Sequence, residues 1–228
     1  MELLLQLKDW VLHVDRHLGT LIDSLGPGIY VLMFLVVFAE TGLVFTPFLP
    51  GDSLLFALGT FAGLGKLSLP VLLVSLIVAA ILGDTVNYWI GAWLGPRIFR
   101  GEKIRLLNPK HLERTHEFFE RYGGKTIILA RFVPIVRTFA PFVAGMGRMT
   151  YRRFMAYNVA GGVIWVVLFL GLGYAFGTRP VVQKNFTLVM LGIIVVSVLP
   201  GVFEYWRERQ KLRQAAQSPA AEKAPPTH

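Results

Sequence analysis

Two acidic and two basic side chains lie inside otherwise apolar stretches of this sequence. They are Glu40 and Asp52 in the first half of the chain and Arg131 and Arg137 in the second. An ionisable group at membrane depth is costly and usually lines a polar cavity or an ion pathway. These residues are therefore the first candidates for function. The acids could exchange protons, and the guanidinium groups could grip a phosphate through two hydrogen bonds each.

Each candidate also has a structural interpretation. Glu40 could be a neutral, hydrogen-bonded acid in a packed core, and Asp52 could cap a helix that begins after Pro50 and Gly51. A helix N-terminus aimed at the middle of the membrane is also an anion site. The arginines flank Pro134, three residues to either side. They could extend to the membrane surface or pair with the two acids.

A secondary polar group lies on one face of a long apolar segment. Asp84, Asn87 and Tyr88 follow one another at helical i, i+3 and i+4 spacing. These side chains could extend a polar site. They could equally form a contact between helices, aided by the small residues Gly91 and Gly95.

The rest of the composition excludes several classes of function. Cysteine is absent, so the chain has no disulfide, thiolate metal site or thiol nucleophile. The five histidines fall in surface segments or the tail, and Asn158 and Trp165 are interpreted as packing and interface residues. We predict no catalytic residue, no metal site, no cofactor and no enzymatic activity. Despite a net charge of +9, no soluble basic face for nucleic acid is evident.

Long apolar runs predict the elements that position these residues. The chain is 54% hydrophobic and only 16% charged, against about 25% charged in soluble domains. Residues 28–46, 67–94, 154–177 and 185–203 approach or exceed the roughly 20 residues needed to cross hydrocarbon. Such runs must be helical because no other conformation satisfies their backbone in lipid. The sequence therefore predicts an all-α polytopic membrane protein.

Two apolar stretches are interrupted by proline and glycine, as is typical of re-entrant, broken helices. The predicted breakers are Pro47, Pro50 and Gly51 in the first hairpin and Pro134 and Pro141 in the second. Similar sequences close the two stretches, AGLGKLS at 62–68 and AGMGRMT at 144–150. We therefore predict two repeats, each a broken hairpin followed by a transmembrane helix, with an extra transmembrane helix at the C-terminal end.

The distribution of basic residues predicts the orientation. Sixteen of the 23 lie in 95–125, 148–153 and 207–228, which the positive-inside rule assigns to the cytoplasm together with the C-terminus. The repeats are then inverted, and their hairpins meet in mid-membrane. The predicted order is an amphipathic interfacial helix at 1–26, a membrane domain at 27–205 and a basic, disordered tail at 206–228. Within the membrane domain we expect a first hairpin at 28–66, a span at 67–94, a cytoplasmic amphipathic segment at 95–124, a second hairpin at 125–149 and spans at 151–177 and 185–205.

Four motifs resemble those of the DedA family, whose members are also described as SNARE-associated or VTT-domain membrane proteins. They are E-T-G-x-x-x-x-P-x-x-P-G-D from Glu40, GDTVNYWIGAWLG from Gly83, RFVPIVRTFAPFVAGMGRM from Arg131 and F-x-x-x-N-x-x-G-x-x-x-W from Phe154. The resemblance implies a multi-pass bacterial inner-membrane protein with two opposed re-entrant hairpins, related to eukaryotic lipid scramblases. It links members to envelope integrity and the proton-motive force, and some to flipping of undecaprenyl phosphate. The family's paired acids match Glu40 and Asp52, and its paired arginines match Arg131 and Arg137.

Residues and resemblance together favour a lipid transporter. Arg131 and Arg137 are predicted to bind an anionic headgroup, of undecaprenyl phosphate or a phospholipid, while Glu40 and Asp52 gate the site by exchanging protons. The expected partners are membrane lipids and protons, without nucleic acid, and a homo-oligomer is allowed. Two alternatives stay open: a proton-coupled transporter of a small ion or osmolyte, and a non-transporting scaffold for envelope proteins.

Overall fold

The structure is a computed structural model that describes residues 14–43, 51–99, 124–147 and 149–193, with single positions at 195, 196 and 199. The described residues are helical and contain no strand. The helices are α1 Val14–Leu25, α2 Gly28–Gly42, α3 Gly51–Gly63, α4 Leu69–Phe99, α5 Lys125–Ala130, α6 Pro134–Met146, α7 Tyr151–Phe176 and α8 Pro180–Lys184. Residues 186–193 are also helical. The all-α prediction is confirmed for this part of the chain.

Within the part of the chain that the structure describes, two helices are long and apolar enough to cross a membrane, Leu69–Gly95 within α4 and Tyr151–Phe176 as α7. One side of α4 carries large apolar side chains that are exposed, at Val74, Val78, Leu82, Val86, Trp89 and Trp93. Their spacing of three or four residues places them on a single face of the helix. A face of this composition suits lipid, and the opposite face of α4 packs inside the protein.

The predicted boundaries differ from the observed ones at two places. The helix of the first span continues to Phe99, five residues beyond the predicted end of the span. α6 runs through Pro141 without interruption, so the prediction that this proline breaks the hairpin is wrong. A proline inside a membrane helix removes one hydrogen bond, but neighbouring helices can satisfy the freed carbonyl and keep the helix continuous.

The other predicted breakers lie at or beside helix starts. Pro134 is the first residue of α6, where a proline fits because its missing N–H would have no partner inside the helix. Gly51 is the first residue of α3. Pro47 and Pro50 lie outside the described residues, as do the segment 100–123 and the tail.

Glycines end two of the helices by adopting positive φ. Gly26 follows α1 with φ of 50°, and Gly65 follows α3 with φ of 76°. Around Gly65, the Lys66 amide donates to the Phe61 carbonyl and the Gly65 amide to the Ala62 carbonyl, both at 3.0 Å. This is the Schellman pattern that satisfies the last carbonyls of a helix. It turns the chain sharply from α3 into α4.

The second helix of each predicted hairpin packs on the long helix of the other half of the chain. α3 lies along α7, and α6 lies along α4. A Cβ at Gly59 of α3 would overlap the Leu170 carbonyl of α7, and one at Gly173 would overlap the Phe56 carbonyl. The α4–α6 pair has the same arrangement, in which Gly91 faces the Phe142 carbonyl and Gly145 faces the Tyr88 carbonyl. Backbones therefore touch at both crossings.

We expect Gly59→Ala to separate α3 from α7 and to lower the free energy of unfolding by about 1–3 kcal/mol, the usual cost of overpacking. The added methyl group would overlap backbone atoms, which cannot move aside by changing rotamer. Unfolding of the purified protein in mixed detergent micelles measures the effect. Gly171→Ala is the matched control because its Cβ would meet no atom within 4 Å. Equal stabilities of the two variants would contradict the close crossing.

Helix α1 closes one end of the core. Leu18 and Ile22 are buried in the main apolar cluster, four residues apart on one face, as an amphipathic helix requires. Its polar side is exposed, and Asp23 forms an ion pair with Lys66 at 3.2 Å. α1 is thus amphipathic over the described residues, and the interfacial helix at 1–26 stays a prediction.

Candidate functional site

Arg137 is held between the two candidate acids. Its Nη1 lies 2.9 Å from Asp52 Oδ1, and its Nη2 forms an ion pair with Glu40 Oε1. All three side chains are buried. Arg137 comes from α6, Asp52 from α3 and Glu40 from α2. One guanidinium therefore ties both helices of the first hairpin to the second hairpin.

Glu40 also accepts a hydrogen bond from the first backbone amide of α3. The Gly51 N–H donates to Glu40 Oε1 at 3.1 Å, so a carboxylate from α2 satisfies one of the unpaired donors at the start of α3. Asp52 lies in the first turn of the same helix, where the helix dipole favours a negative charge. A Cβ at Gly51 would overlap the Glu40 carboxylate. Glycine is therefore what allows the acid to reach this amide.

Arg131 belongs to a second ionic centre. Its Nη2 pairs with Asp84 Oδ2 and donates to Asn158 Oδ1 at 2.6 Å. The amide nitrogen of Asn158 in turn donates to the Ile81 carbonyl at 3.1 Å, which fixes the orientation of the side chain. Asp84 is thus the acid that accompanies Arg131, and Asn158 holds the guanidinium from α7.

Trp165 connects the two centres. Its indole Nε1 donates to Asp52 Oδ1 at 2.8 Å. The Cζ atoms of Arg131 and Arg137 lie 5.9 Å and 5.6 Å from its ring centroid, within the range of cation–π attraction. With 1% of its surface exposed, Trp165 is an internal residue of the site and not the interface residue expected from the sequence.

Asn87 and Tyr88 act on the backbone around the site. The Asn87 amide nitrogen donates to the Thr138 carbonyl at 2.7 Å and to the Thr41 carbonyl at 3.2 Å. It joins the residues that follow Arg137 and Glu40 in the chain. Tyr88 donates its hydroxyl to the Met149 carbonyl at 2.5 Å. Asn87 thus joins α4 to α2 and α6, and Tyr88 joins α4 to the segment between α6 and α7.

The site encloses a small cavity lined by Thr41, Asp84, Arg131, Arg137, Thr138 and Trp165. Its volume, about 10 Å³, is close to the least that admits one water molecule. The five ionisable side chains are three carboxyl and two guanidinium groups, so full ionisation leaves one negative charge in excess. Nε and Nη1 of Arg131 and Oε2 of Glu40 are buried without a hydrogen-bond partner. Each of these atoms could form a further hydrogen bond. The cavity is too small for a large ligand unless the helices around it separate.

Among the described residues, no cluster of three or more histidine, aspartate or glutamate side chains is placed to hold a metal ion. The three carboxyl groups of the site are divided between two guanidinium partners. Each carboxyl group of the site therefore already faces a cationic partner.

The sequence missed Asn158 and Trp165 as members of the site. One signal could have indicated them: they lie seven residues apart, two turns along one helix face, with Gly161 and Gly162 between them. Polar, small and aromatic residues on one face of an apolar helix predict a packed polar contact.

These features define a class of protein: a helical membrane protein in which buried ion pairs are enclosed among short and long apolar helices. The VTT domain family matches residues 49–175. Protein DedA of Escherichia coli strain K12 is 53% identical over 218 residues, covering 95% of this chain and 100% of that protein. The chain therefore belongs to the VTT-domain, or DedA, family.

Two more distant relatives are also named as membrane proteins. A membrane protein of Mycobacterium leprae is 40% identical over 186 residues, which cover 82% of this chain and 83% of the relative. Inner membrane protein YqjA of Escherichia coli strain K12 is 34% identical over 175 residues, which cover 77% of this chain and 80% of the relative. No solved structure matches the chain. The resemblance seen in the motifs is confirmed, and with it the assignment as a membrane protein.

Proposed function

We propose that this protein translocates lipids with an anionic headgroup, undecaprenyl phosphate or a phospholipid, across the membrane. One observation carries the proposal: two arginines are buried side by side in an apolar helical domain, and each is paired with a carboxylate. A phosphate competes for the same guanidinium hydrogen bonds. The lipid undergoes no covalent change, so the proposed role is transport and not catalysis.

Proton exchange supplies a means of release. With one negative charge in excess at the site, one proton neutralises it and weakens the hold of the acids on the arginines. An arginine freed from its acid is available to a headgroup, and return of the carboxylate displaces the headgroup again. Glu40 and Asp52 would gate Arg137 in this way. The small cavity corresponds to the closed arrangement, in which the acids occupy the arginines.

The proposed architecture is that of two inverted repeats with an extra C-terminal transmembrane helix. The matching glycine contacts at the α3–α7 and α4–α6 crossings support it, because equivalent helices of two repeats should meet in equivalent ways. We also propose a bacterial inner-membrane location with the C-terminus in the cytoplasm. The location is supported by the name of the YqjA relative, and the orientation by the basic segments of the sequence.

A second candidate is a proton-coupled transporter of a small ion or osmolyte. The observation in its favour is the size of the cavity, which is close to that of one water molecule. A phosphate headgroup needs the helices to separate further than a small ion does. Transport assays with both kinds of substrate distinguish the two candidates.

The test is transport by purified protein in liposomes that contain labelled undecaprenyl phosphate or labelled phospholipid. We expect wild-type protein to move one of these lipids, and Glu40→Gln to slow the movement at least about tenfold, equivalent to about 1.4 kcal/mol. Glutamine can still accept the Gly51 N–H bond and has nearly the same shape, so the variant should fold. Its thermal unfolding in detergent checks that point.

Trp93→Phe is the control for the assay, because its side chain is 63% exposed on the lipid-facing side of α4. It should transport at the wild-type rate. If neither lipid moves faster than in empty vesicles while a small ion or osmolyte does, the second candidate replaces the first. A protein that moves no tested substrate would support the scaffold.

A further inference from the structure

Trp165 touches both ionic centres of the site. Its indole N–H donates to the same Asp52 oxygen that accepts from Arg137. Its ring lies within 6 Å of both guanidinium carbons. A displacement of Trp165 therefore changes the surroundings of both arginines and of one acid at once.

The helix that carries Trp165 also holds the second centre directly. Asn158 binds Arg131 Nη2 at 2.6 Å. A Cβ at Gly161 would stand 3.5 Å from Arg131 Nε, and one at Gly162 would stand 3.6 Å from Nη1. The guanidinium of Arg131 thus lies against this glycine pair. Residues 158–162 of α7 surround Arg131, and Trp165, about one turn further along, contacts Asp52.

We propose that Trp165 is a positioning residue that couples the two ion pairs, so that Asp52–Arg137 and Asp84–Arg131 open and close together. If Asp52 withdraws when the first pair opens, the indole N–H loses its acceptor; if Arg137 withdraws, the ring loses one cation. The ring can then shift, which withdraws its contact from Arg131. The inference rests on the proposed function for its biological meaning, but the coupling exists whether or not a lipid is moved.

The coupling can be measured by double-mutant cycles. Asp52→Asn and Asp84→Asn each remove one charge while keeping the shape of the side chain. The single and double variants are made with Trp165 present and again with Trp165→Leu, and each is tested for thermal unfolding in detergent and for lipid transport. Comparing the two backgrounds cancels the direct Coulomb interaction between the acids, because that interaction does not need the tryptophan.

With Trp165 present, the double variant should change the transport rate by a factor that differs about threefold or more from the product of the factors for Asp52→Asn and Asp84→Asn alone. Departures of this size are found for side chains in contact. The shift in melting temperature of the double variant should likewise differ from the sum of the two single shifts. In the Trp165→Leu background the departure should fall by at least half. Trp165→Phe keeps the ring over the arginines but lacks the N–H, so it should retain part of the coupling.

The proposal would be overturned if the departure from additivity were equal with Trp165 and with Trp165→Leu. It would also be overturned if the effects of the two aspartate substitutions were additive with Trp165 present. If Trp165→Leu does not fold, the same comparison is made with Trp165→Phe, where an unchanged departure overturns the role of the N–H bond. Trp93→Phe, on the lipid-facing surface, should leave the coupling intact. A departure in melting temperature without any lipid transport would reject the proposed function while supporting the coupling.

Discussion

Arg137→Ala is expected to cause the largest loss of any single substitution in this protein. Arg137 pairs with both Glu40 and Asp52, and its removal leaves two carboxyl groups buried without their cation. Breaking a buried pair in this way costs about 3–5 kcal/mol. We expect the free energy of unfolding to fall by about that amount and lipid transport to be lost. Equilibrium unfolding in mixed micelles measures the first effect, and the liposome assay the second.

Two variants separate the lost charge from the lost function. Arg152→Ala removes an exposed arginine of α7 and should change stability by no more than about 0.5 kcal/mol. The triple variant Glu40→Gln, Asp52→Asn, Arg137→Gln has no buried charge at this centre and should regain most of the stability without regaining transport. If Arg137→Ala were as stable as Arg152→Ala, the ion pairs would not exist in the membrane.

Gly51→Ala is expected to have the second largest effect. The three atoms that its Cβ would strike first all belong to the Glu40 carboxylate. Moving that group breaks its bond to the Gly51 amide and disturbs its pair with Arg137. We expect a loss of stability at the upper end of the roughly 1–3 kcal/mol typical of overpacking, together with loss of transport. Stability and transport are measured in the same two assays.

Gly28→Ala is the matched control for this substitution. Gly28 is also the first residue of a helix, and its Cβ would meet only the Leu25 side chain at an ordinary 3.8 Å. It should be as stable as the wild type and transport normally. A Gly51→Ala protein that behaved like Gly28→Ala would show that Glu40 does not rest against the start of α3.

The class of fold could be predicted because apolar length is a property of each segment alone. Residues 151–177 were predicted to span the membrane, and α7 ends within one residue of that boundary. Pro141 was misjudged because the effect of a proline on a helix depends on what surrounds it. α4 contacts α6 at Thr138 and at Phe142, on either side of this proline. The sequence predicts α4 as a span but does not show that α6 packs against it.

The charged members of the site could be predicted, but Asn158, Trp165 and the pairing of acids with arginines could not. A charge inside an apolar segment is visible in the sequence, and Glu40, Asp52, Arg131 and Arg137 all lie in the site. Their residue types and spacing predict one group of four. In the structure Arg131 turns instead to Asp84, which was only a secondary candidate. Which acid meets which arginine depends on how each helix is rotated about its axis, and rotation follows from the packing of the whole domain.

The crossed packing of the hairpins has a consequence for biosynthesis. α3 leaves the ribosome roughly a hundred residues before α7, the helix on which it packs, since synthesis proceeds from the N-terminus. Until α6 and then α7 arrive, the start of α3 carries Asp52 without Arg137 and Trp165 beside it. The first half of the chain cannot complete its core alone, so this protein must assemble after both halves have entered the bilayer.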